Sequence, residues 1–287
     1  MERLLECRPD SYREWYRRGD ELRADGYYYE ALASYERALN YQPSDYWSWY
    51  RKGVVLEALG HHEEAIDSLA TASTIEPNNY WSWYEQACIH FTEFREYNRA
   101  ISCFKEALKL RPQDYWATYR TGESYRKLGL CEQAIAYYNR TLELRLDDFW
   151  AYYRRGEAQQ HQGELEEALF SYDCALDLEP DDYWAWYQKA IVWQQLKQYE
   201  QGIVCCQRAI ELDSRFDCAW YCQACCYASL DNTNWAIICL EKGIDLHPQK
   251  YLSKAVKDCI WSEFRQQKGF QLLIANKSDR YNITING

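Results

Sequence analysis

Small and large apolar residues recur among polar ones in a pattern that repeats about every 34 residues along this chain. In each period a small residue is followed four positions later by a larger apolar residue, and three positions after that by another small one. Spacings of four and three place side chains on one face of a helix, and small side chains let a neighbouring helix approach closely. The pattern therefore predicts seven packed helices, with the triplets Ala31, Tyr35 and Ala38; Ala65, Leu69 and Ala72; Ala100, Phe104 and Ala107; Ala134, Tyr138 and Thr141; Ala168, Tyr172 and Ala175; Gly202, Cys206 and Ala209; and Ala236, Leu240 and Gly243.

Another helix, the first of each pair, is indicated ahead of each triplet by an aromatic block, and in four periods two glycines follow the block. Gly53 and Gly60 illustrate the pair, which lies seven residues apart and recurs in three other periods. A glycine after about fourteen helical residues is typical of a C-terminal cap, since it adopts the left-handed backbone conformation without strain. All six prolines also share one register of the period, so each period predicts helix, turn, helix. The clearest aromatic blocks are 46–50, 80–84, 115–119, 149–153 and 183–187.

These residues resemble the tetratricopeptide repeat family, whose pattern has Trp, then Gly four residues later, followed by Tyr, Ala, an aromatic residue, Ala and Pro in a frame of 34 residues. The resemblance covers residues 9–250. It implies paired antiparallel helices stacked into a right-handed superhelix, whose first helices line a concave groove that typically binds peptide segments of partner proteins. One departure is an extra residue near Phe94, in the turn of repeat three. The other is that polar residues replace the family's leucine before the first glycine, at Arg18, Lys52, Thr121, Arg155 and Lys189.

The expected fold class is therefore all-α, an α-solenoid of stacked helix-turn-helix repeats. Residues 1–11 match the end of a second helix, so they are expected to be the remnant of a preceding repeat with its linker. A C-terminal capping helix is predicted over 251–268, and a polar tail over 269–287. The seven repeats between them are predicted at 12–45, 46–79, 80–114, 115–148, 149–182, 183–216 and 217–250.

Composition narrows the classes of function. The formal net charge is -11 and the sequence pI is about 5.1, which disfavours a general binder of polyanions. No apolar run approaches the roughly 18 residues that span a bilayer, so no membrane insertion is predicted. The first ten residues lack the apolar core of a secretory signal, and thirteen cysteines without regular spacing indicate reduced thiols, so we expect a cytoplasmic protein. The aromatic blocks also resemble those of repeat proteins common in cyanobacteria, which suggests a bacterial source.

The candidate binding surface follows from alternate indoles in the aromatic blocks. Residues two apart on a helix are separated by about 200°, so Trp47 and Trp49 point in different directions. The resemblance places Trp49 in the core against the second helix, and it places Trp47, with the tyrosine three residues later, on the concave wall. The wall residues predicted to bind a peptide are Trp47, Tyr50, Trp81, Tyr84, Trp116, Tyr119, Trp150, Tyr153, Trp184 and Tyr187.

An arginine follows three of these tryptophans by four residues, at Arg51, Arg120 and Arg154. This spacing permits each guanidinium to stack on its own indole, or to offer forked donors to a ligand. The sequence thus predicts a non-enzymatic scaffold or adaptor that binds a protein segment with acidic, proline or aromatic residues.

Other interpretations remain open. The wall aromatics could stack only on one another, and such a wall could also bind single-stranded nucleic acid or a glycan. Cys218, Cys222 and Cys225 share one helix face in repeat seven, where thiolates could hold a soft metal or act in redox chemistry, although cysteine also serves as a small core residue. The histidines and paired carboxylates form no known catalytic arrangement, so neither catalysis nor a cofactor is predicted.

Overall fold

The structure, a computed structural model, describes residues 11–283, and within that range it is built from helices without strands. The predicted all-α fold of stacked helix pairs is confirmed. The chain divides into two compact units, Met1–Leu144 and Arg145–Gly287. The remnant predicted at residues 1–11 lies almost entirely outside the described residues, since only Ser11 falls within them.

The first unit contains four antiparallel helix pairs, and the second helices of its first three pairs also pack against the first helix of the next pair. Adjacent first helices α3 and α5 contact each other directly, so the first helices of this unit form one continuous face. Its helices are α1 (Tyr12–Ala24), α2 (Tyr28–Tyr41), α3 (Tyr46–Ala58), α4 (His62–Ile75), α5 (Tyr80–Thr92), α6 (Tyr97–Leu110), α7 (Tyr115–Lys127) and α8 (Cys131–Leu144).

The second unit repeats this arrangement in three pairs and adds a C-terminal module. The first helices α9, α11 and α13 contact one another in order, forming the corresponding face of this unit. Two short 3-10 helices, Cys259–Trp261 and Phe264–Gln266, separate the last two α-helices. The α-helices are α9 (Phe149–Gln162), α10 (Leu165–Leu178), α11 (Tyr183–Gln195), α12 (Tyr199–Leu212), α13 (Asp217–Ser229), α14 (Thr233–Leu246), α15 (Pro248–Lys257) and α16 (Lys268–Tyr281).

Short polar residues and glycines set the ends of the first helices. Asp45 caps α3, with a carboxylate oxygen that accepts the backbone N–H of Ser48 at 2.7 Å. The predicted glycine caps are confirmed, because Gly60 and its equivalents have positive φ angles of 73–87°. In the repeats without that glycine, Arg95, Lys197 and Asp231 adopt the same left-handed region, with φ of 54–59°. The turn therefore keeps its shape when the residue changes.

The first glycine of each pair has a different role, which is close helix packing. A Cβ added at Gly53 would lie 2.6 Å from the Leu69 side chain, and one at Gly156 would lie 2.9 Å from the Tyr172 ring. Immediately before this position, two of the polar residues that replace the family's leucine, Lys52 and Lys189, pair with carboxylates of the preceding second helix. Lys52, for example, pairs with Glu36 of α2 at 3.0 Å. At these two positions the departure from the family pattern is accommodated by an ion pair at the helix interface.

The tryptophans two residues after a predicted wall tryptophan join three first helices to the turns before them. Trp49, Trp83 and Trp186 are half-buried, and each indole N–H donates to the carbonyl of the proline six residues earlier, at 2.8–3.0 Å. Repeat four has Thr118 instead of this tryptophan, and there the Pro112 carbonyl accepts from Arg140. The proline carbonyl of the turn therefore accepts a side-chain hydrogen bond both in the repeats with this tryptophan and in repeat four.

The C-terminus differs from the sequence-based prediction of one capping helix over 251–268 and a polar tail. Helix α15 ends at Lys257, and the predicted tail contains most of α16. The physical reason is an aromatic cluster, since Trp261 stacks on Phe270 at 5.7 Å and both rings are buried. A buried lysine, Lys277, anchors α16 to α14 through Glu241 at 2.8 Å and Asp245 at 2.6 Å.

Candidate functional site

The tryptophans predicted for the wall are exposed. All five stand at the second residue of a first helix, and each leaves 39–56% of its surface in solvent. The alternate indoles, such as Trp49, are half-buried against their proline turns. We call the exposed set the inner indoles: Trp47, Trp81 and Trp116 in the first unit, and Trp150 and Trp184 in the second.

Neighbouring rings hold the inner indoles in place. Trp47, Trp81, Trp116 and Trp150 each meet the aromatic residue just before them edge to face, with centroids 4.9–5.2 Å apart. Trp184 instead packs on Phe216 at 4.7 Å. Edge-to-face contacts are a favoured geometry of aromatic pairs and restrict ring rotation. The exposed faces are therefore ordered before any ligand arrives.

The tyrosines three residues after the inner indoles are mostly packing residues. Tyr50 and Tyr153, predicted as ligand contacts, are buried, whereas Tyr84, Tyr119 and Tyr187 are partly exposed. Tyr153 is covered because it stacks on Phe149 of its own helix at 5.8 Å and meets the ring of Tyr172 in α10 at 5.7 Å. These rings support the indoles and join the two helices of a pair.

The three predicted wall arginines differ in their contacts. Arg154 lies over Trp150 at 5.4 Å and also pairs with Glu157 at 2.7 Å. The other two lie over rings other than the indole four residues earlier. Arg51 lies over Tyr50 at 5.7 Å and pairs with Asp20 of α1 at 3.3 Å, and Arg120 lies over Phe91 of α5 at 5.2 Å. Two of the guanidinium groups are therefore already neutralised by carboxylates of the same face.

Two residues of the first unit belong to the site although the sequence did not single them out. Arg111 lies over Tyr80 at 4.3 Å and over Trp81 at 4.8 Å, so it covers part of an inner indole. Glu85 of α5 accepts the Tyr50 hydroxyl at 3.4 Å. Burial, followed by repulsion from Glu57, raises the pKa of Glu85 from 4.5 to about 7. Both contacts join residues about 30 or more positions apart, so spacing along one helix gives no signal of them.

The raised pKa of Glu85 predicts a pH dependence of stability. Between about pH 4.5 and 7 the folded state keeps the Glu85 proton and the unfolded state loses it, so the free energy of unfolding falls as the pH rises. The glutamine of Glu85→Gln carries no titratable proton, so the free energy of unfolding should fall less steeply with pH in this variant. The difference from the wild type across this pH range should be at most about 3 kcal/mol. Urea unfolding at a series of pH values measures the slope. The exposed control Glu132→Gln should keep the wild-type slope, and equal slopes for all three proteins would contradict the pKa assignment.

The three cysteines of repeat seven that the sequence left open as a thiol site line a cavity of about 490 Å³ in the second unit, together with Tyr187 and Lys254. Cys218, Cys222 and Cys225 all contribute to its wall. However, no group of three or more His, Cys, Asp or Glu side chains in residues 11–283 is arranged to hold a metal ion. Burial raises the pKa of the Cys225 thiol to about 12, which disfavours the thiolate that binds metal or reacts. Cys222 and Cys225 therefore act here as buried apolar lining, whereas Cys218 accepts hydrogen bonds from Lys250 at 3.5 Å and Tyr251 at 3.7 Å.

Among residues 11–283, no helix is both long enough and apolar enough to cross a bilayer.

Solved structures with similar folds are also tetratricopeptide repeat proteins. YrrB, described as a TPR protein with an unusual peptide-binding site, is 19% identical, with a TM-score of 0.59 over 64% of this chain and 95% of that one. A MamA protein is 24% identical, with a TM-score of 0.56 over 59% and 92%. The C-terminal part of a TPR repeat-containing protein from Cytophaga hutchinsonii is 16% identical, with a TM-score of 0.69 over 83% and 98%. At these identities the likeness shows the fold alone.

Sequence comparison gives the family. No curated protein sequence matches this chain. Models of the tetratricopeptide repeat, or TPR repeat, match residues 16–79, 82–114, 122–163, 149–182 and 183–216. These matches fall on the same helix pairs that the structure shows, from α1 to α12. The chain belongs to the tetratricopeptide repeat family.

Proposed function

We propose that this chain is a non-enzymatic interaction protein that binds an extended segment of a partner protein along its first-helix faces. The inner indoles are the principal contacts. The observation that carries the proposal is the repeated exposure of a tryptophan at one position, in every repeat from the second to the sixth. A residue that served only to pack helices together would have no reason to remain half in water.

The exposed aromatic area of the first unit supports this role. Each inner indole leaves on the order of 100 Å² in solvent, so Trp47, Trp81 and Trp116 together present about 300 Å². That value reaches the size of the largest apolar patch on a typical monomer, and such patches are often functional. Neighbouring rings already fix the indoles. Binding of a ligand therefore costs little side-chain entropy of the tryptophans.

The chemistry of the face favours proline and aromatic residues in the partner. Flat indole faces suit proline rings and other aromatic side chains, as in grooves that bind proline-rich segments. Arg51 and Arg154 already pair with Asp20 and Glu157, which leaves them less able to bind an acidic partner. The net charge of -11 opposes a nucleic acid backbone. YrrB, of similar fold, is described as having a peptide-binding site, which agrees with a peptide ligand here.

A double substitution in the first unit tests the proposal. Proteins captured by the wild-type chain from its source organism are mapped to a binding segment by crosslinking, and the affinity of that segment is measured by calorimetry. Trp81→Ala with Trp116→Ala should raise the dissociation constant at least about 30-fold, because two central aromatic contacts of about 1 kcal/mol or more each are lost.

The matched control is Tyr27→Ala with Tyr29→Ala, which removes two exposed aromatic rings from the turn and first residues of α2. Those rings lie outside the aromatic blocks, so the control should bind like the wild type. If the tryptophan variant keeps its helical circular dichroism and still binds every mapped segment with unchanged affinity, the first-helix face is not the binding site.

A further inference from the structure

A row of exposed apolar side chains runs along the second helices of the second unit. Phe170, Val204 and Ile238 are each the sixth residue of their helix, in α10, α12 and α14, and are 64%, 61% and 43% exposed. Leu272 of α16 follows one period later and is 51% exposed. Trp235, one turn before Ile238, is 52% exposed. We call these five residues the outer stripe.

The same position in the first unit carries small or charged residues instead. The sixth residues of α2, α4, α6 and α8 are all exposed, and none is a large apolar residue. Single exposed apolar residues are common, but a row of them at one repeat position forms a contiguous patch, and such patches mark interaction sites. In the first unit the residues at this position are Ala33, Asp67, Ser102 and Ala136.

The charges around the outer stripe change sign from one end to the other. Helix α10 carries four carboxylates and no cationic residue, and Glu166, Glu167 and Asp173 stand three or four residues from Phe170. At the other end, α16 carries three cations and one carboxylate. Lys268 and Arg280 are its exposed cations. The stripe is therefore acidic where it begins and basic where it ends.

We propose that the outer stripe is an interface with a second copy of this chain, related by a two-fold axis. A two-fold axis perpendicular to the stripe runs the two stripes antiparallel, so α10 of each copy faces α16 of the other. The acidic end of one stripe then meets the basic end of its partner, and Phe170 lies opposite Leu272. A parallel arrangement would instead place like charges together, which costs free energy.

The exposed area of the outer stripe matches the apolar core of a standard dimer interface. The five side chains expose on the order of 400–500 Å² of mostly apolar surface, in the range of the largest patches on monomers. A standard stable interface buries about 800 Å² per partner, and its rim is polar. The charged residues that flank the stripe supply that rim. The proposal does not depend on peptide binding, because the stripe lies on the second helices and the inner indoles on the first.

Sedimentation velocity of the purified full chain, up to about 100 μM, tests the interface. The wild type should form dimers, and Phe170→Asp with Val204→Asp should raise the dimer dissociation constant at least about 30-fold. The matched control places the same charges at the equivalent positions of the first unit, as Ser102→Asp with Ala136→Asp, and should leave the constant unchanged. A wild type that stays monomeric at the highest concentration, or a control that weakens the dimer equally, would overturn the proposal.

A charge exchange tests the antiparallel arrangement. Glu166→Lys with Glu167→Lys should weaken the dimer, and so should Lys268→Glu with Arg280→Glu. All four changes in one chain restore opposite charges across the two-fold axis, so the dissociation constant should return to within about threefold of the wild type. Circular dichroism confirms that each variant is folded. If the dimer of the fourfold variant dissociates as readily as the dimers of the two double variants, the antiparallel pairing is wrong.

Discussion

Replacing Tyr172 with alanine is expected to lower the free energy of unfolding by about 3–5 kcal/mol, because it empties the centre of a repeat. The Tyr172 ring is fully buried in α10. It meets the ring of Tyr153 at 5.7 Å and fills the space that Gly156 leaves by lacking a side chain. Alanine leaves a cavity at the point where the two helices of the pair come closest, and the neighbouring rings cannot close it without moving both helices.

Tyr172→Phe separates the ring from its hydroxyl. The hydroxyl donates to the side-chain oxygen of Gln160 at 3.2 Å, so phenylalanine should cost only about 1 kcal/mol. Chemical denaturation followed by circular dichroism measures both variants. Contacts between repeats join neighbours only, so the alanine variant should lose protection from hydrogen exchange mainly in α9–α11. An alanine variant no less stable than the phenylalanine variant would refute the assignment of this ring as the core of its repeat.

The pairing of helices could be predicted from the sequence because it depends on local spacing. The triplet Ala168, Tyr172 and Ala175 identifies the packed face of α10 from positions on that one helix. Gly156 and Gly163 could likewise be assigned, since one marks close approach and the other a left-handed turn. Each of these features depends on geometry within a few residues, which a single sequence contains.

The partners of side chains on the first-helix faces could not be predicted in the same way. The spacing of Arg51 from Trp47 suggested stacking, but the ion pair with Asp20 lies on the preceding first helix, 31 positions earlier in the sequence. Tyr50 was predicted on the wall and is buried, since its hydroxyl reaches Glu85 of the next first helix. Contacts between repeats depend on how closely neighbouring helices approach, and a pattern within one helix does not contain that distance.

The C-terminal module shows a second limit. The polar residues from Asn276 onward suggested a tail, yet α16 extends to Tyr281. Its anchors are few and widely spaced, namely Phe270, Leu273 and the buried Lys277. A buried lysine looks polar in a hydropathy pattern, although here its charge is matched by Glu241 and Asp245. Anchors as few as these do not form the continuous apolar stripe by which a packed helix is predicted from its sequence.

Trp261 holds this module together, and Trp261→Ala is expected to cost about 3–5 kcal/mol of local stability. Its ring is fully buried against Phe264 and Phe270, and its indole N–H donates to the Tyr221 hydroxyl at 3.2 Å. Because the module ends the array, its loss need not unfold the preceding repeats. The backbone amides of α16 should therefore exchange at least about 100-fold faster, while those of α9–α12 keep their protection.

Hydrogen exchange read by mass spectrometry measures this difference segment by segment. The control is Trp150→Ala, which removes an indole of the same size from the same unit but at an exposed position. It should leave exchange in α16 unchanged, because its lost contact with Phe149 lies within α9. Equal acceleration of exchange in α16 by both substitutions would mean that the second unit unfolds as one body. Unchanged exchange in the Trp261→Ala variant would mean that Lys277 and its carboxylates, rather than the aromatic cluster, hold α16 in place.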